Sequence, residues 1–425
     1  MSEKEIIVVE GNNVLSGEVR VSGAKNSALK LIAASLLGQG ASTLHNVPLI
    51  SDLAVMSEVL ECLGATIERD GHTMVIDTAQ VTSHETPYEL VSKMRASISV
   101  LGPLVARFGQ ARVAMPGGCQ IGARKIDMHL VGLEALGVEF TVAHGYLNAH
   151  TPNGLHGADV TLEFPSVGAT ENAVLAACAA AGKTVIQGAA REPEIVALQD
   201  FLRAAGVDIY GAGSDRIVIS RGRPRTHIHM NIISDRIVAS TVACAAAAVG
   251  GDVTLKNIDP SQISTVMHFL NEAGCDIIKK SGEVRIISDG RLRAVGPVST
   301  APYPGFPTDA QPVLMAALLK ADGVTRIYEN IFENRFRQVE ELCRLGADIR
   351  TDGMTAEIHG VPELHGAQLK ATDLRGGAAM LIAALSAEGE SAVLDSGHIT
   401  RGYENFDSCL RTLGASIYME TKTLT

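Results

Sequence analysis

One short phrase recurs six times along the chain at nearly constant spacing. A leucine or alanine, a glycine and a small apolar residue stand together around Gly64, Gly137, Gly206, Gly274, Gly346 and Gly414. Consecutive glycines are 73, 69, 68, 72 and 68 residues apart. A repeat this regular indicates one structural unit copied six times, so one copy predicts the fold of the whole chain.

Each copy carries the same local pattern. An apolar helical period leads up to the glycine, which suits a helix C-cap because a residue without Cβ adopts the left-handed conformation cheaply. Alternating residues follow, as in Val207-Asp208-Ile209, and predict a half-buried strand, a turn and a second strand. Upstream we expect a helix rich in Ala and Leu, followed by a strand, in every copy. These helices are predicted at 27–37, 96–108, 171–181, 236–249, 310–321 and 376–387.

The sixth copy stops after its first strand, at Thr425. The N-terminal run Ile6-Ile7-Val8-Val9 resembles the missing strand, so we expect the N-terminus to complete the sixth copy. A chain of 425 residues is too long for one core and suits two domains of three copies each. We predict an α/β fold with an N-terminal domain at 22–230 and a C-terminal domain of 1–21 plus 231–425. Smooth, Ala-rich helices could pack inside a ring of sheets.

Composition argues against several classes of protein. The net charge of −11 disfavours general nucleic-acid binding, and the absence of Trp disfavours stacking on single strands. The longest smooth apolar stretch, 237–249, is too short to span a bilayer, and the charged N-terminus has no signal-like core. We therefore expect a soluble, cytoplasmic protein with neither a membrane nor a nucleic acid as partner.

Cys119 differs from the other six cysteines. It lies in a glycine-rich loop, 115–124, five residues before Arg124, where a thiol would be exposed with a lowered pKa. From composition alone, a functional thiol and an incidental cysteine in a surface loop are equally open interpretations. The other cysteines lie in or beside apolar helical patterns and are interpreted as small core residues: Cys62, Cys178, Cys244, Cys275, Cys343 and Cys409.

Polar and charged residues recur where the Ala-rich helices begin. Ser, Thr and Asp there are explained as N-caps. Lys25, Arg95 and Arg375 are less easily explained, because a cation at a helix start opposes the helix dipole. Ordinary exposed charges are one alternative. An anionic ligand bearing phosphates and carboxylates is the other, since helix N-termini and guanidinium groups both bind anions.

Eight segments together resemble a known family. They are 22–26, 116–124, 166–170, 191–194, 306–309, 333–336, 372–375 and 401–404. Over essentially the whole chain they resemble the UDP-N-acetylglucosamine 1-carboxyvinyltransferases, the enolpyruvyl transferases of peptidoglycan synthesis. The resemblance implies an inside-out α/β barrel of two domains, the EPSP (enolpyruvylshikimate-phosphate) synthase-like fold. That fold agrees with six βαβαββ-like units, three in each domain.

The resemblance also implies a reaction. The 3′-hydroxyl of the sugar attacks C2 of phosphoenolpyruvate, C3 gains a proton, and phosphate leaves the tetrahedral ketal. Cys119 would be the general acid and would form a covalent adduct with phosphoenolpyruvate, and Asp309 would be the base. The resemblance implies further phosphoenolpyruvate ligands: Lys25, Arg124 and Arg401 at the phosphate, Arg335 and Arg375 at the carboxylate, and Asn26 beside Lys25. Lys25 would also be a catalytic residue.

The nucleotide-sugar site implied by the resemblance is larger. It comprises Asn26, Arg95, Arg124, Lys125, Ile126, Asp127, Met128, Ser166, Val167, Gly168, Asp309 and Ile331. Lys125 stands where the family often has proline, and Phe164 stands where some members have lysine, so no role is assigned to Phe164. No metal and no cofactor are expected, and the two substrates are the expected partners of a monomeric or weakly self-associating enzyme. EPSP synthase, which lacks the cysteine loop, and a non-catalytic relative are the alternatives.

Overall fold

The computed structural model describes residues 3–93, 95–115, 126–220, 222, 227–395 and 397–423. In chain order the strands are β1 Glu3–Glu10, β2 Leu15–Arg20, β3 Ala41–His45, β4 Thr66–Asp70, β5 Thr73–Asp77, β6 Gln110–Ala114, β7 Glu139–Ala143, β8 Tyr146–His150, β9 Asp159–Thr161, β10 Lys183–Gln187, β11 Asp208–Tyr210, β12 Arg216–Ser220, β13 Ile228–Asn231, β14 Gly251–Lys256, β15 Asp276–Lys280, β16 Glu283–Ser288, β17 Val298–Ser299, β18 Val324–Tyr328, β19 Asp348–Asp352, β20 Thr355–His359, β21 Gln368–Lys370, β22 Glu390–Leu394 and β23 Ile417–Thr423.

The α-helices are α1 Lys25–Ala34, α2 Ser51–Cys62, α3 Tyr88–Lys93, α4 Leu101–Phe108, α5 Asp127–Glu134, α6 Val167–Ala177, α7 Pro193–Ala204, α8 Arg236–Val249, α9 Ser264–Glu272, α10 Gln311–Ala317, α11 Val339–Arg344, α12 Leu374–Ser386 and α13 Phe406–Thr412. Short 3₁₀ helices occur at Ser35–Leu37, Arg95–Val100, Pro260–Ile263, Thr308–Ala310 and Ile399–Arg401. None of the helices in the described part of the chain combines the length and apolar character needed to cross a bilayer.

The six repeated glycines all follow a helix and all adopt left-handed backbone. Helices α2, α5, α7, α9, α11 and α13 end just before them. The glycine φ angles run from 86° at Gly206 to 114° at Gly274, a region that a residue with a Cβ enters only with strain. The prediction that these glycines terminate helices is confirmed.

The described residues form two compact units. One comprises residues from 3–22 and 234–423, and the other comprises residues from 23–115 and 126–233. The first unit has three four-stranded sheets, ordered β21-β22-β1-β23, β15-β16-β14-β2 and β17-β18-β20-β19. In the first sheet β1 is antiparallel to both of its neighbours, so Val8 lies opposite Ala392 on one side and Tyr418 on the other.

Three Ala-rich helices, α8, α10 and α12, pack against one another in this unit. Every residue of α12 from Arg375 to Ser386 is buried. Small side chains let such helices approach closely while their sheets cover the outside.

The second unit has the sheets β11-β12-β10-β9, β13-β3-β5-β4 and the three-stranded β6-β8-β7. Helices α1, α4 and α6 are its counterparts of α8, α10 and α12, and α6 is buried from Ala169 to Ala177. The α/β architecture of repeated βαβαββ-like units is therefore present, since β9, for example, runs parallel to β10 ahead of α6.

The interpretation of six cysteines as core residues is partly wrong. Cys178, Cys244 and Cys275 are buried, but Cys62 and Cys343 are exposed and Cys409 is half-buried. The last two turns of an amphipathic helix have a solvent face, and Cys62 and Cys343 lie on it in α2 and α11. The apolar period predicts the helices correctly, but it does not place Cys62 and Cys343 on the solvent face.

Candidate functional site

In the first unit, Asp309 lies between two guanidinium groups. Its Oδ1 is 3.0 Å from Nη2 of Arg335, and its Oδ2 is 3.2 Å from Nη2 of Arg375. The arginine side chains are only 2% and 3% exposed, while that of Asp309 is 28% exposed. Three residues that are distant in sequence thus form one cluster in which the acid alone reaches solvent.

The chain positions each member of this cluster locally. Asp309 lies in the 3₁₀ turn that leads into α10, and Arg335 is held there by two hydrogen bonds to the Thr308 carbonyl, of 3.2 and 3.1 Å. Arg375 is in the first turn of α12, which Asp373 caps by accepting hydrogen bonds from the amides of residues 375 and 376. Asp373 Oδ1 is also 3.8 Å from Nη1 of Arg335. The acidic cap offsets the cost of placing a cation at a helix start.

Two nitrogen atoms of the Arg375 guanidinium make no hydrogen bond within the described part of the chain. Its Nε and Nη1 are buried without a hydrogen-bond partner among the described residues. Burial lowers the pKa of its guanidinium, but Tyr403, Asp309 and Asp235 outweigh that effect and hold the pKa above its usual value. A buried, charged group with unpaired donors is costly, so these donors are suited to receive an anion.

Tyr403 is a member of the cluster that the sequence did not single out as a site residue. Its ring lies under Arg375, with 5.1 Å between the ring centroid and Cζ, and its hydroxyl is 2.9 Å from the Thr241 hydroxyl. Burial raises the pKa of this phenol, so it remains a neutral donor at ordinary pH. The Arg-Gly-Tyr-Glu segment pointed to residue 401, and nothing in the pattern distinguished the tyrosine.

Glu329 is a second residue that sequence reasoning missed. It is buried, accepts hydrogen bonds from the amides of Ile331 and Phe332 at 2.9 and 3.2 Å, and accepts one from the Thr308 hydroxyl at 3.1 Å. Its carboxylate therefore fixes the turn that presents Ile331 next to the Asp309 turn. From the sequence alone, a glutamate at a strand end is interpreted as a solvated charge. Only the packing of the folded chain shows that Glu329 holds this turn.

Arg401 ends the 3₁₀ helix Ile399–Arg401 and is half-buried. The turn before it is held by Asp395, which accepts hydrogen bonds from the amides of His398 and Ile399. Arg401 has polar interactions of its own within the protein.

In the second unit, Lys25 is the first residue of α1 and is almost buried. Its Nζ lies 2.6 Å from Oδ2 of Asp52, whose side chain is 6% exposed. Asp52 lies in the first turn of α2, where an acidic side chain complements the helix dipole. Asn26, the next residue of α1, is half-buried. The sequence singled out Lys25 and Asn26 but gave no sign that Asp52 would hold the lysine.

The Ser166-Val167-Gly168 turn opens α6. The Ser166 hydroxyl caps the helix by accepting a hydrogen bond from the amide of Ala169 at 3.4 Å. A Cβ on Gly168 would lie 2.8 Å from Cε1 of His129, which is closer than carbon atoms pack. A larger residue at 168 would therefore have to displace the His129 ring of the neighbouring α5.

Helix α5 carries three more of the expected residues at its start. Ile126 and Met128 are half-buried and Asp127 is exposed. Arg95 begins the 3₁₀ helix Arg95–Val100. The structure thus places each of these expected residues at a helix entrance of the second unit.

The expected residues Cys119, Arg124 and Lys125 lie outside the described residues. Phe164, to which no role was assigned, is 40% exposed. Within the described part of the chain no group of three or more His, Cys, Asp or Glu side chains is arranged to hold a metal ion.

Comparison with known proteins identifies relatives of the whole chain. Residues 9–410 match the family model of EPSP synthase (3-phosphoshikimate 1-carboxyvinyltransferase). The chain is 45% identical to a UDP-N-acetylglucosamine 1-carboxyvinyltransferase of Trichlorobacter lovleyi over 97% of this chain and 98% of that protein. It is 47% identical to the enzyme of that name from Mycobacterium tuberculosis, again over 97% of this chain and 98% of the relative.

Solved structures agree with the fold. The enolpyruvyl transferase NikO of Streptomyces tendae superposes with a TM-score of 0.89 at 26% identity, over 99% of this chain and 100% of that one. EPSP synthase of Acinetobacter baumannii superposes with a TM-score of 0.74 at 19% identity, over 98% of this chain and 100% of that one, which shows the shared fold alone. The expected EPSP synthase-like fold is confirmed.

Proposed function

Because the chain belongs to the EPSP synthase family and, within it, to the UDP-N-acetylglucosamine 1-carboxyvinyltransferases, we propose that it transfers the enolpyruvyl group of phosphoenolpyruvate to the 3′-hydroxyl of UDP-N-acetylglucosamine. Phosphate is released, and the product is the first committed precursor of peptidoglycan. The observation that carries the proposal best is the cluster of Asp309, Arg335 and Arg375, in which two buried donors of Arg375 have no hydrogen-bond partner among the described residues.

The carboxylate of phosphoenolpyruvate is the proposed ligand of Arg335 and Arg375. A guanidinium matches a carboxylate in two-point geometry through Nε with Nη2 or through its two Nη atoms. Nε and Nη1 of Arg375 have no hydrogen-bond partner among the described residues, and each shares an edge with the Nη2 that contacts Asp309. Both side chains are nearly buried, so an anion bound there is poorly screened by water and is held strongly.

Asp309 is proposed as the base that takes the proton of the 3′-hydroxyl. In the structure each of its oxygens already contacts one guanidinium. A substrate carboxylate arriving at Arg335 and Arg375 would compete for these contacts and free an oxygen of Asp309 to accept a proton. The acid would thus serve as a counter-ion before the substrate binds and as a base afterwards.

The remaining roles complete the charge balance of the reaction. Cys119 would donate a proton to C3 of phosphoenolpyruvate as the oxygen–C2 bond forms, and the loss of phosphate with a C3 proton would restore the double bond. Lys25, Arg124 and Arg401 would bind the phosphate, which carries most of the negative charge. Asn26 would contact both substrates.

The nucleotide sugar would be bound at the helix entrances of the second unit, where amides point outward and favour anions. The full set of proposed contacts of the nucleotide sugar is Asn26, Arg95, Arg124, Lys125, Ile126, Asp127, Met128, Ser166, Val167, Gly168, Asp309 and Ile331. We also propose that the enzyme acts in the cytoplasm, as a monomer or weakly self-associating protein, through domains 22–230 and 1–21 with 231–425.

Phosphate release from phosphoenolpyruvate tests the proposal. The purified protein is incubated with phosphoenolpyruvate and either UDP-N-acetylglucosamine or shikimate 3-phosphate, and inorganic phosphate and the enolpyruvyl ether are measured. Phosphate release is expected when the acceptor is UDP-N-acetylglucosamine and not when it is shikimate 3-phosphate. No release with UDP-N-acetylglucosamine contradicts the proposal, and release with shikimate 3-phosphate would assign the EPSP synthase activity instead.

A further inference from the structure

Two adjacent residues of α6, Glu171 and Asn172, are completely buried and join four elements of the second unit. Glu171 Oε2 lies 2.7 Å from Nζ of Lys30 in α1. The same ammonium group donates a hydrogen bond of 2.8 Å to the hydroxyl of Ser99 in the 3₁₀ helix Arg95–Val100. One buried cation thus ties α1, α6 and this 3₁₀ helix together.

Asn172 makes the second set of links. Its Oδ1 accepts a hydrogen bond of 2.7 Å from the Gly102 amide in α4, and its Nδ2 donates one of 3.2 Å to the Ile98 carbonyl. Nδ2 is also 2.8 Å from Nδ1 of His129 in α5. The Gly102 amide can only donate, so Nδ2 must be the donor to His129, and that ring nitrogen carries no proton.

The elements joined in this way carry the proposed substrate contacts at their starts. Lys25 and Asn26 begin α1, Arg95 begins the 3₁₀ helix, Asp127 begins α5, and the turn 166–168 opens α6. Lys30, Glu171 and Asn172 lie within about one and a half turns of such a start, because a helical turn takes about 3.6 residues. A shift of any one helix would therefore move its substrate contacts relative to the others.

Stability alone does not account for the ion pair of Lys30 and Glu171. Taking both charges out of water costs about as much as their attraction returns, and apolar residues of similar volume often replace a buried pair without loss. What apolar residues cannot replace is the single ammonium group of α1 that contacts both Glu171 in α6 and the Ser99 hydroxyl in the 3₁₀ helix.

We propose that Glu171 and Asn172, with Lys30, are positioning residues for the nucleotide sugar. They set the relative placement of the helix entrances that bind it, an inference that rests on the proposed function. None of the three is proposed to touch substrate.

The test replaces the whole ion pair of Lys30 and Glu171, in order to distinguish a positioning role from a stabilising role. In the double variant Lys30→Met with Glu171→Leu, volume is nearly kept and no charge is left unpaired. We expect a thermal midpoint near that of the wild type, kcat within about twofold, and a KM for UDP-N-acetylglucosamine raised about tenfold, because small misplacements weaken binding steeply. Ser99→Ala should raise the same KM less, since it removes a single contact.

The matched control is Thr184→Val, which removes a buried hydroxyl in the same unit that has no partner among the described residues. This variant should leave the KM for UDP-N-acetylglucosamine and the KM for phosphoenolpyruvate unchanged. An unchanged KM for the nucleotide sugar in a double variant as stable as the wild type would overturn the inference, as would a loss of stability with KM intact.

The inference and the proposed function fail in different ways. Absence of wild-type turnover removes the proposed function. A wild-type enzyme that turns over, next to a stable double variant with the same KM, removes the inference alone. Calorimetric binding of UDP-N-acetylglucosamine to wild type and to the Ser99→Ala variant gives the same comparison without turnover, and equal affinities would again overturn it.

Discussion

Replacing Glu171 by glutamine should change how stability depends on pH. Burial raises the pKa of Glu171 to about 7 from an ordinary value of 4.5, while Lys30 opposes the rise and Glu192 and Glu194 add to it. The native state therefore binds this proton more tightly than the unfolded chain does. Protonated Glu171 therefore contributes fully to the free energy of unfolding below pH 4.5, and this contribution is lost as the pH rises through about 7.

The size of this effect follows from the two pKa values. One pKa unit corresponds to about 1.4 kcal/mol, so ionising Glu171 should cost the native state about 3 kcal/mol between pH 4.5 and pH 8. The Glu171→Gln variant keeps the shape but cannot ionise. Relative to the variant, the wild-type protein should therefore become less stable by about this amount as the pH rises across that interval.

Pulsed hydrogen exchange in increasing urea would measure the effect, with the peptide covering α6 reporting the second unit separately from the first. Separate reporting is needed because a chain with two compact units need not unfold in one step. Glu357→Gln in β20 of the first unit is the sign control, and its effect is followed through a peptide of that unit. Arg326 holds the pKa of Glu357 below its ordinary value, so stability from its carboxylate is lost on acidification instead. Equal pH slopes for wild type and Glu171→Gln would refute the reasoning.

Three further predictions concern the proposed chemistry. Arg375→Lys keeps the charge but loses the planar fork, so the KM for phosphoenolpyruvate should rise at least about tenfold in the phosphate-release assay, and an unchanged KM would contradict a carboxylate at this residue. Asp309→Asn should lower kcat by about 10²–10⁴-fold while calorimetry still detects nucleotide-sugar binding, whereas near-normal turnover would exclude Asp309 as the base. Cys119→Ala should abolish alkylation by fosfomycin, an epoxide phosphonate resembling phosphoenolpyruvate, as followed by intact mass, and persistent labelling of the variant would refute the assignment of the loop.

Much of the fold was predictable from local signals. A glycine after an apolar helix needs only its own backbone to end that helix, and all six repeated glycines do so. Helix starts were predicted less well: α1 begins at Lys25 and not at residue 27, and α6 begins at Val167 and not at 171. The apolar period is weak in a polar first turn, because the side chains there cap the helix by hydrogen bonds and do not pack in the core.

By itself, the sequence determined the repeated unit, the family and the residue types at the helix entrances, because each of these depends on short segments. Only the tertiary structure decided which charges meet. Asp309, Arg335 and Arg375 are brought together from three separate segments, and Asp52 reaches Lys25 from another helix. Lys30 and Glu171 pair across a separation of 141 residues. Hydrogen bonds and ion pairs act over a few ångströms, so they depend on how helices pack, which a one-dimensional pattern does not record.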